Sequence, residues 1–124
     1  MDAGSGDGEP GEPIRVSGAS SANPRDAVSF DRRELNRILD LYGRMVAAGE
    51  WRDYAIDFLR DRAVFSIFRR SSEMPIYRIE KDPKLARRQG AYSVVSVTGH
   101  ILKRGHELER VLRVLDKPLR VVAG

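Results

Sequence analysis

The chain has no cysteine, and only two of its 124 residues are histidines. Without cysteine, disulfide bonds, thiolate nucleophiles and cysteine-bound zinc or iron–sulfur clusters are excluded. His100 and His106 are six residues apart, a spacing that does not place them on one face of a helix, and no third ligand lies nearby. We therefore expect this protein to hold neither a metal ion nor a cofactor.

Long apolar runs are also lacking. No stretch approaches the roughly 20 apolar residues that a membrane helix needs. The acidic, glycine-rich N-terminus has neither the basic start nor the apolar middle of a signal peptide. Hydrophobic residues make up 41% of the chain and charged residues 32%, a composition typical of a small globular domain. These features predict a cytoplasmic protein that does not contact a membrane.

Charge divides the chain near Val28. Residues 1–27 carry five acidic and two basic side chains, and residues 28–124 carry 13 acidic and 20 basic ones, so the net charges are −3 and +7. The first segment is rich in Gly, Ser and Pro, and it cannot offset the entropy of ordering itself. We predict a disordered acidic tail at 1–27, a single domain at 28–124, and an anionic partner if the partner is charged.

The domain opens with a helix predicted over residues 31–48. Asp31 is placed to cap its first turn, and Glu34 to complete a capping box. Gly49 supplies a left-handed stop at the other end. Apolar residues follow the spacing of a helix that buries one face: Leu35, Ile38, Leu39, Tyr42, Met45 and Val46.

After Trp51 the apolar period shortens towards two, which predicts a three-stranded antiparallel meander. The alternating sets are Tyr54, Ile56 and Phe58, then Ala63, Phe65 and Ile67, then Ile76 to Ile79, with turns at Arg60-Asp61 and Ser71-Ser72-Glu73. Residues 51–60 also fit one face of a helix. We prefer a strand there because β-branched and aromatic residues dominate the run.

The remaining elements complete an α+β fold. Asp82-Pro83 predicts a short helical turn that Gly90 ends, and residues 91–97 read as a fourth strand. A second amphipathic helix is predicted from about His106 to Leu115, with Pro118 marking its end. Residues 118–122 fit either an edge strand or an ordered tail end. The expected architecture is a small antiparallel sheet of three to four strands packed against an N-terminal and a C-terminal helix.

No arrangement of residues compels a reaction. Asp53, Asp57 and Asp61 recur every four residues, as carboxylates that bind magnesium or share acid–base work would. Arginines interleave with them, so surface ion pairing explains the same pattern. We expect no catalytic residue.

Basic clusters are the stronger signal, and all of them lie at predicted element ends or loops. They are Arg69 and Arg70, then Lys84, Arg87 and Arg88, then Lys103 and Arg104. Gathered on one face, they would bind phosphates or another anion. Lys103 and Arg104 also precede Gly105, which as a loop residue before the last helix would offer free amides to an anion. A helix, three strands and a basic segment is also the order of the double-stranded RNA-binding domain.

Three stretches resemble a small bacterial family, domain of unknown function 2794. They are FDRRELNRILDLYGRMVAAGEWRDYAIDFLRDRAVFSIFRR, EMPIYRIEKDPKLARRQGAYSVV and LKRGHELERVL. The resemblance runs from Phe30 to Asp116 and implies a small cytoplasmic bacterial protein. It transfers no activity, substrate or site residue to this chain.

The expected function is therefore a non-catalytic binding or adaptor protein whose basic surface meets a protein or another anionic partner. Binding of RNA or DNA through the phosphate backbone is the alternative, because the basic surplus is clustered. An enzyme is the least favoured class.

Overall fold

The computed structural model describes residues 26–70 and 74–123, without the side chains of residues 117–123. The elements in chain order are α1 (Arg32–Ala47), β1 (Asp53–Phe58), β2 (Ala63–Phe68), β3 (Tyr77–Lys81), β4 (Tyr92–Ser96), β5 (Ile101–Gly105) and α2 (Leu108–Ala123). The predicted α+β fold is confirmed, with five strands rather than three or four. The predicted tail, apart from residues 26 and 27, and the turn predicted at 71–73 lie outside the described residues.

Helix α1 begins and ends close to its predicted bounds. The Asp31 carboxylate accepts a hydrogen bond from the Glu34 amide, and the Glu34 carboxylate accepts one from the Asp31 amide, each 2.8 Å long. This is the predicted capping box. Gly49 has a φ of 80°, as a left-handed stop requires. The buried residues of α1 are Glu34, Ile38, Leu41 and Met45, whereas Val46, expected on that face, is exposed.

The five strands form one antiparallel sheet in the order β1-β2-β3-β4-β5. Residues 53–58 are a strand and not a helix, and their register with β2 runs from Asp53 opposite Phe68 to Phe58 opposite Ala63. The predicted helical turn after β3 is a 3₁₀ turn, Pro83–Leu85, in which the Lys84 amide donates a hydrogen bond to the Asp82 carboxylate.

Strand β5 is the main departure from the sequence-based expectation. Residues 101–105 pair with β4, so Gly105 ends a strand and does not open the last helix. The pairing depends on a close approach between two glycines, because a Cβ atom on Gly90 would lie 2.1 Å from the carbonyl carbon of Gly105. Lys103, Arg104 and Gly105 therefore lie in a strand and not in the predicted loop, while anion binding by Lys103 and Arg104 stays a prediction.

Both helices cover one face of the sheet, which we call the helix face. The core of this face combines residues of α1, α2 and the first four strands: Ile38, Leu41, Met45, Ile56, Ala63, Phe65, Ile67, Ile79, Val94, Val111, Leu112 and Leu115. Helix α2 packs on β4, β5 and α1. The opposite side of the sheet, the open face, carries no helix of the described chain.

Helix α2 is longer than predicted. It continues through Pro118 to Ala123, so the helix end predicted at Pro118 is wrong, and residues 118–122 are not an edge strand but an ordered, helical end. Proline removes only one hydrogen bond of the helical ladder, and Leu115, Leu119 and Val122 continue the helical apolar spacing beyond it. Among the helices of the described chain, none is long and apolar enough to cross a membrane.

Candidate functional site

The predicted basic residues do not gather on one surface. Arg69 and Arg70 follow β2, at the end of the sheet where β3 begins. The second cluster, Lys84 to Arg88, follows β3 and lies at the opposite end of the sheet. The Arg69 guanidinium lies 3.9 Å from the Glu50 carboxylate. Because the two clusters lie at opposite ends of the sheet, the length of the strands separates the first cluster from the second.

The second and third clusters do meet. The Arg104 guanidinium donates a 2.6 Å hydrogen bond to the Gln89 side-chain oxygen, which ties β5 to the segment that carries Arg87 and Arg88. Lys84, Arg87 and Arg88 are all exposed. This corner of the molecule concentrates positive charge.

Neighbouring residues of β5 face opposite sides of the sheet, as in any strand. Lys103 is paired with Val94 and so lies on the helix face. Arg104 is paired with Ser93 and so lies on the open face. The third predicted cluster is thus divided between the helix face, which carries Lys103, and the open face, which carries Arg104.

On the helix face, Lys103 borders a groove of about 740 Å³ between β5 and α2. The groove combines apolar side chains with basic ones: Leu102, Val111 and Val114, then Lys103, Arg104, His106, Arg110 and Arg113, with Gly105 and Glu107 completing it. Glu107 is the one acidic residue of this set, and it pairs with Arg110 at 3.0 Å. The groove therefore carries a net positive charge above an apolar floor.

Strand β5 is also an outer strand of the sheet. All of its residues are exposed or half-buried, and Ile101 and Leu102 retain 44% and 39% of their accessible surface. An outer strand presents unpaired backbone amides and carbonyls along its edge. The part of the chain that the structure describes adds no strand beyond it. A register shift opposite Val94 and Val95 bends this edge.

Sequence reasoning missed the contribution of α2 to this groove. Arg110 and Arg113 stand three residues apart on the exposed side of α2 and are absent from the clusters that the sequence singled out. Their spacing next to Val111 and Val114 was a usable signal, because charged and apolar residues alternate there along one side of the helix. This spacing indicates groove residues only because the fold places α2 beside β5.

The open face carries the aspartates that the sequence singled out. Asp53 and Asp57 are on β1 and share this face, whereas Asp61 is exposed in the turn that follows. The Asp53 carboxylate accepts a 2.8 Å hydrogen bond from the Tyr54 amide. Within residues 26–70 and 74–123, no group of three or more His, Asp or Glu side chains is placed to hold a metal ion.

A buried polar cluster joins the start of α1 to the sheet. The Glu34 carboxylate accepts hydrogen bonds from the Tyr92 hydroxyl and, at 2.7 Å, from the Lys81 ammonium, which also donates to the Ser29 carbonyl at 2.9 Å. Burial, together with the bond to Glu34, raises the pKa of Tyr92 above its ordinary value. Glu34 is 9% exposed, and its bonds tie the start of α1 to β3 and β4.

Comparison with known proteins adds one match. The sequence family described as "Protein of unknown function (DUF2794)" matches residues 28–112, a span that holds α1, all five strands and the start of α2. No curated protein matches the chain, and no solved structure does. Since the match covers more than half of the chain, this protein belongs to the DUF2794 family.

Proposed function

We propose that this protein is a non-catalytic binding module that takes an extended, acidic segment of a partner protein into the groove between β5 and α2. One observation carries the proposal: the outer strand β5 lies beside a groove that has an apolar floor and basic rims. We expect the module to act in the cytoplasm of a bacterial cell.

Strand addition supplies the affinity in this mode of binding. A segment that pairs with the edge of β5 makes main-chain hydrogen bonds, and its alternate side chains point into the groove. Apolar side chains of the segment meet Leu102 and Val114, which line the groove and keep accessible surface. Burial of each such side chain contributes on the order of 1 kcal/mol or more.

Charge supplies the selectivity. Lys103 on the edge and the bend in β5 both discourage pairing with an arbitrary neutral or basic strand. An acidic segment meets Lys103, Arg110 and Arg113 instead, so its approach is favoured and the favourable interaction weakens with added salt.

The test uses a short synthetic peptide with the repeat Glu-Ser-Val-Ser, the Glu-Val peptide, which places both Glu and Val on one face of a strand, and a second peptide in which Lys replaces Glu. We expect the chain to bind the Glu peptide and not the Lys peptide in titration calorimetry. Arg113→Glu weakens binding at least about tenfold, the loss expected when an attractive charge becomes repulsive. Arg52→Glu is the matched control, because it makes the same charge change in an exposed residue beside β1, at the other edge of the sheet. Equal losses in the two variants would argue against the groove.

A second candidate function is binding of a nucleic-acid phosphate backbone. The bond between Arg104 and Gln89, which brings β5 next to the exposed Lys84, Arg87 and Arg88, favours it. This function predicts retention on single-stranded RNA that weakens steeply with salt. The triple variant Lys84→Glu, Arg87→Glu, Arg88→Glu then loses RNA and keeps the Glu-Val peptide. A chain that binds the peptide but no RNA leaves only the first function standing.

A further inference from the structure

The open face of the sheet is polar, yet its centre is buried. Val64, Ser66, Ser93 and Val95 lie on this face and are each at most 8% exposed. Long charged side chains cover them. The Glu80 carboxylate lies 3.1 Å from the Arg78 guanidinium and 3.9 Å from that of Arg62. The middle of the face thus carries an ion-paired layer in which two arginines share one carboxylate.

The two edges of this face carry unneutralised charges of opposite sign. The strand registers align Asp57 of β1, Val64, Glu80, Ser93 and Arg104 of β5 in one row across the sheet. Asp57 Oδ1 and Arg104 Nε are buried polar atoms that find no hydrogen-bond partner among the described residues. Within that same part of the chain, neither side chain makes an ion pair, although Arg104 bonds neutral Gln89 through Nη1.

We propose that the open face packs against the open face of a second copy of this chain. A two-fold axis that runs parallel to the strands, over β3, reverses the strand order of the second sheet. Because Asp57 and Arg104 lie in one row on opposite edges, this operation places Asp57 of each copy against the partner's Arg104. Each dimer then forms the acid–base contact twice, with both side chains turning outward on docking.

The ion pairs at the centre are compatible with this arrangement. Arg78 and Glu80 lie on β3, next to the axis, two residues apart and therefore about 7 Å apart along the strand. An arginine side chain spans that distance, so each Arg78 reaches the partner's Glu80 as well as its own. The arginine of each copy can therefore pair with the carboxylate of the other copy, and like charges need not lie directly opposite each other.

The size of the face sets the expected strength. Five strands and about five residues of length give a patch about 24 Å wide and about 17 Å long, which buries roughly 800–900 Å² over both copies. This is below the 1,200–2,000 Å² of a standard stable interface. We therefore expect a dimer that dissociates in the micromolar range and is weakened by salt.

Sedimentation velocity from micromolar to millimolar protein tests the proposal through charge reversal. Asp57→Arg and Arg104→Asp should each weaken self-association at least tenfold, since each places like charges at both contacts. An equal mixture of the two variants should form a two-chain species as strong as the unmodified dimer, because every contact again joins opposite charges. Arg32→Asp, an exposed residue at the start of α1, is the matched control and should leave the dimer unchanged.

Each outcome of these measurements either supports or overturns the proposed dimer. A chain that stays monomeric throughout, single variants that associate like the unmodified chain, or a mixture that does not associate would overturn the proposal. Species that grow beyond two chains would show head-to-tail pairing of edges instead. If a charge reversal unfolds the chain by circular dichroism, Asp57→Asn and Arg104→Gln replace the pair, with the same loss expected in each. The two Asp57 variants should bind the Glu-Val peptide like the unmodified chain, because Asp57 lies on β1 at the other edge of the sheet, so failure of the dimer does not affect the groove.

Discussion

The two outer strands of the sheet, β1 and β5, differ in how closely the rest of the chain packs against them. Strand β1 is fixed on the helix face, where Ile56 is 2% exposed and the Tyr54 ring stacks on Phe65 with centroids 4.8 Å apart. The backbone beyond β1 is held too, because the Val28 amide donates a 2.8 Å hydrogen bond to the Leu59 carbonyl. Strand β5 has no buried residue and borders an open groove.

This difference separates an edge that is packed into the core from an edge that the described chain leaves uncovered. Tyr42 of α1 packs edge-on against Tyr54 and Phe65 and so holds β1 in the core, and Trp51 of the following loop packs against Tyr42. The side chains of β5 on the α2 side are few and partly exposed, since Gly105 has none and Leu102 and Lys103 border the groove. Natural sheets use lysine and a bend to keep an exposed outer strand from pairing with other chains indiscriminately.

The largest expected effect comes from truncating the same residue type on each edge. Ile56→Ala should lower the free energy of unfolding by about 4 kcal/mol, because it leaves a cavity in a filled core. Ile101→Ala, on a residue that is 44% exposed, should cost less than about 1 kcal/mol. Urea unfolding of the two variants measures the difference. Equal losses would show that β5 is as much a part of the core as β1.

A smaller effect is expected where β5 is attached to the rest of the fold. Gly90→Ala should cost about 3 kcal/mol, since the new Cβ atom collides with the backbone of Gly105 at a φ of 109°. Gly99→Ala is the matched control, because its φ of 88° carries the same strain in open space, and it should cost about 1 kcal/mol. Thermal unfolding compares them, and similar losses would count against the close approach.

The contact that joins α1 to β4 should give the mildest effect, visible only at high pH. Burial and Glu34 raise the pKa of Tyr92, so the folded chain holds this proton more tightly than the unfolded chain does. Stability is then complete below about pH 10 and falls as the pH rises above that value. Tyr92→Phe should flatten the fall. Urea unfolding on either side of pH 10 checks this, and parallel curves would contradict it.

The sequence predicted the outer strand β1 far better than the outer strand β5. The capping box of Asp31 and Glu34 involves residues three positions apart, so the chain itself displays it. The strands β1 to β3 show alternation. Strand β5 has the sequence ILKRG, which lacks alternation and ends in glycine, so only its pairing with β4 and the approach of Gly90 make it a strand.

The candidate site was predicted in part for the same reason. Lys103 was singled out for its charge, but Arg110 and Arg113 become groove residues only when the topology places α2 beside β5. Antiparallel pairing places Arg69 and Arg70 at the opposite end of the sheet from Lys84, so these two clusters do not form one surface. Such contacts join residues distant in the chain, and no local pattern encodes them.

Amide hydrogen–deuterium exchange, measured with and without the Glu-Val peptide, tests the central claim most directly. Binding by strand addition should slow exchange along β5, at Ile101–Gly105, and in the first turns of α2, while leaving β1 unchanged. Protection of β1 instead, or no change at a peptide concentration that saturates the calorimetric signal, would contradict the assignment of the β5 edge as the binding site.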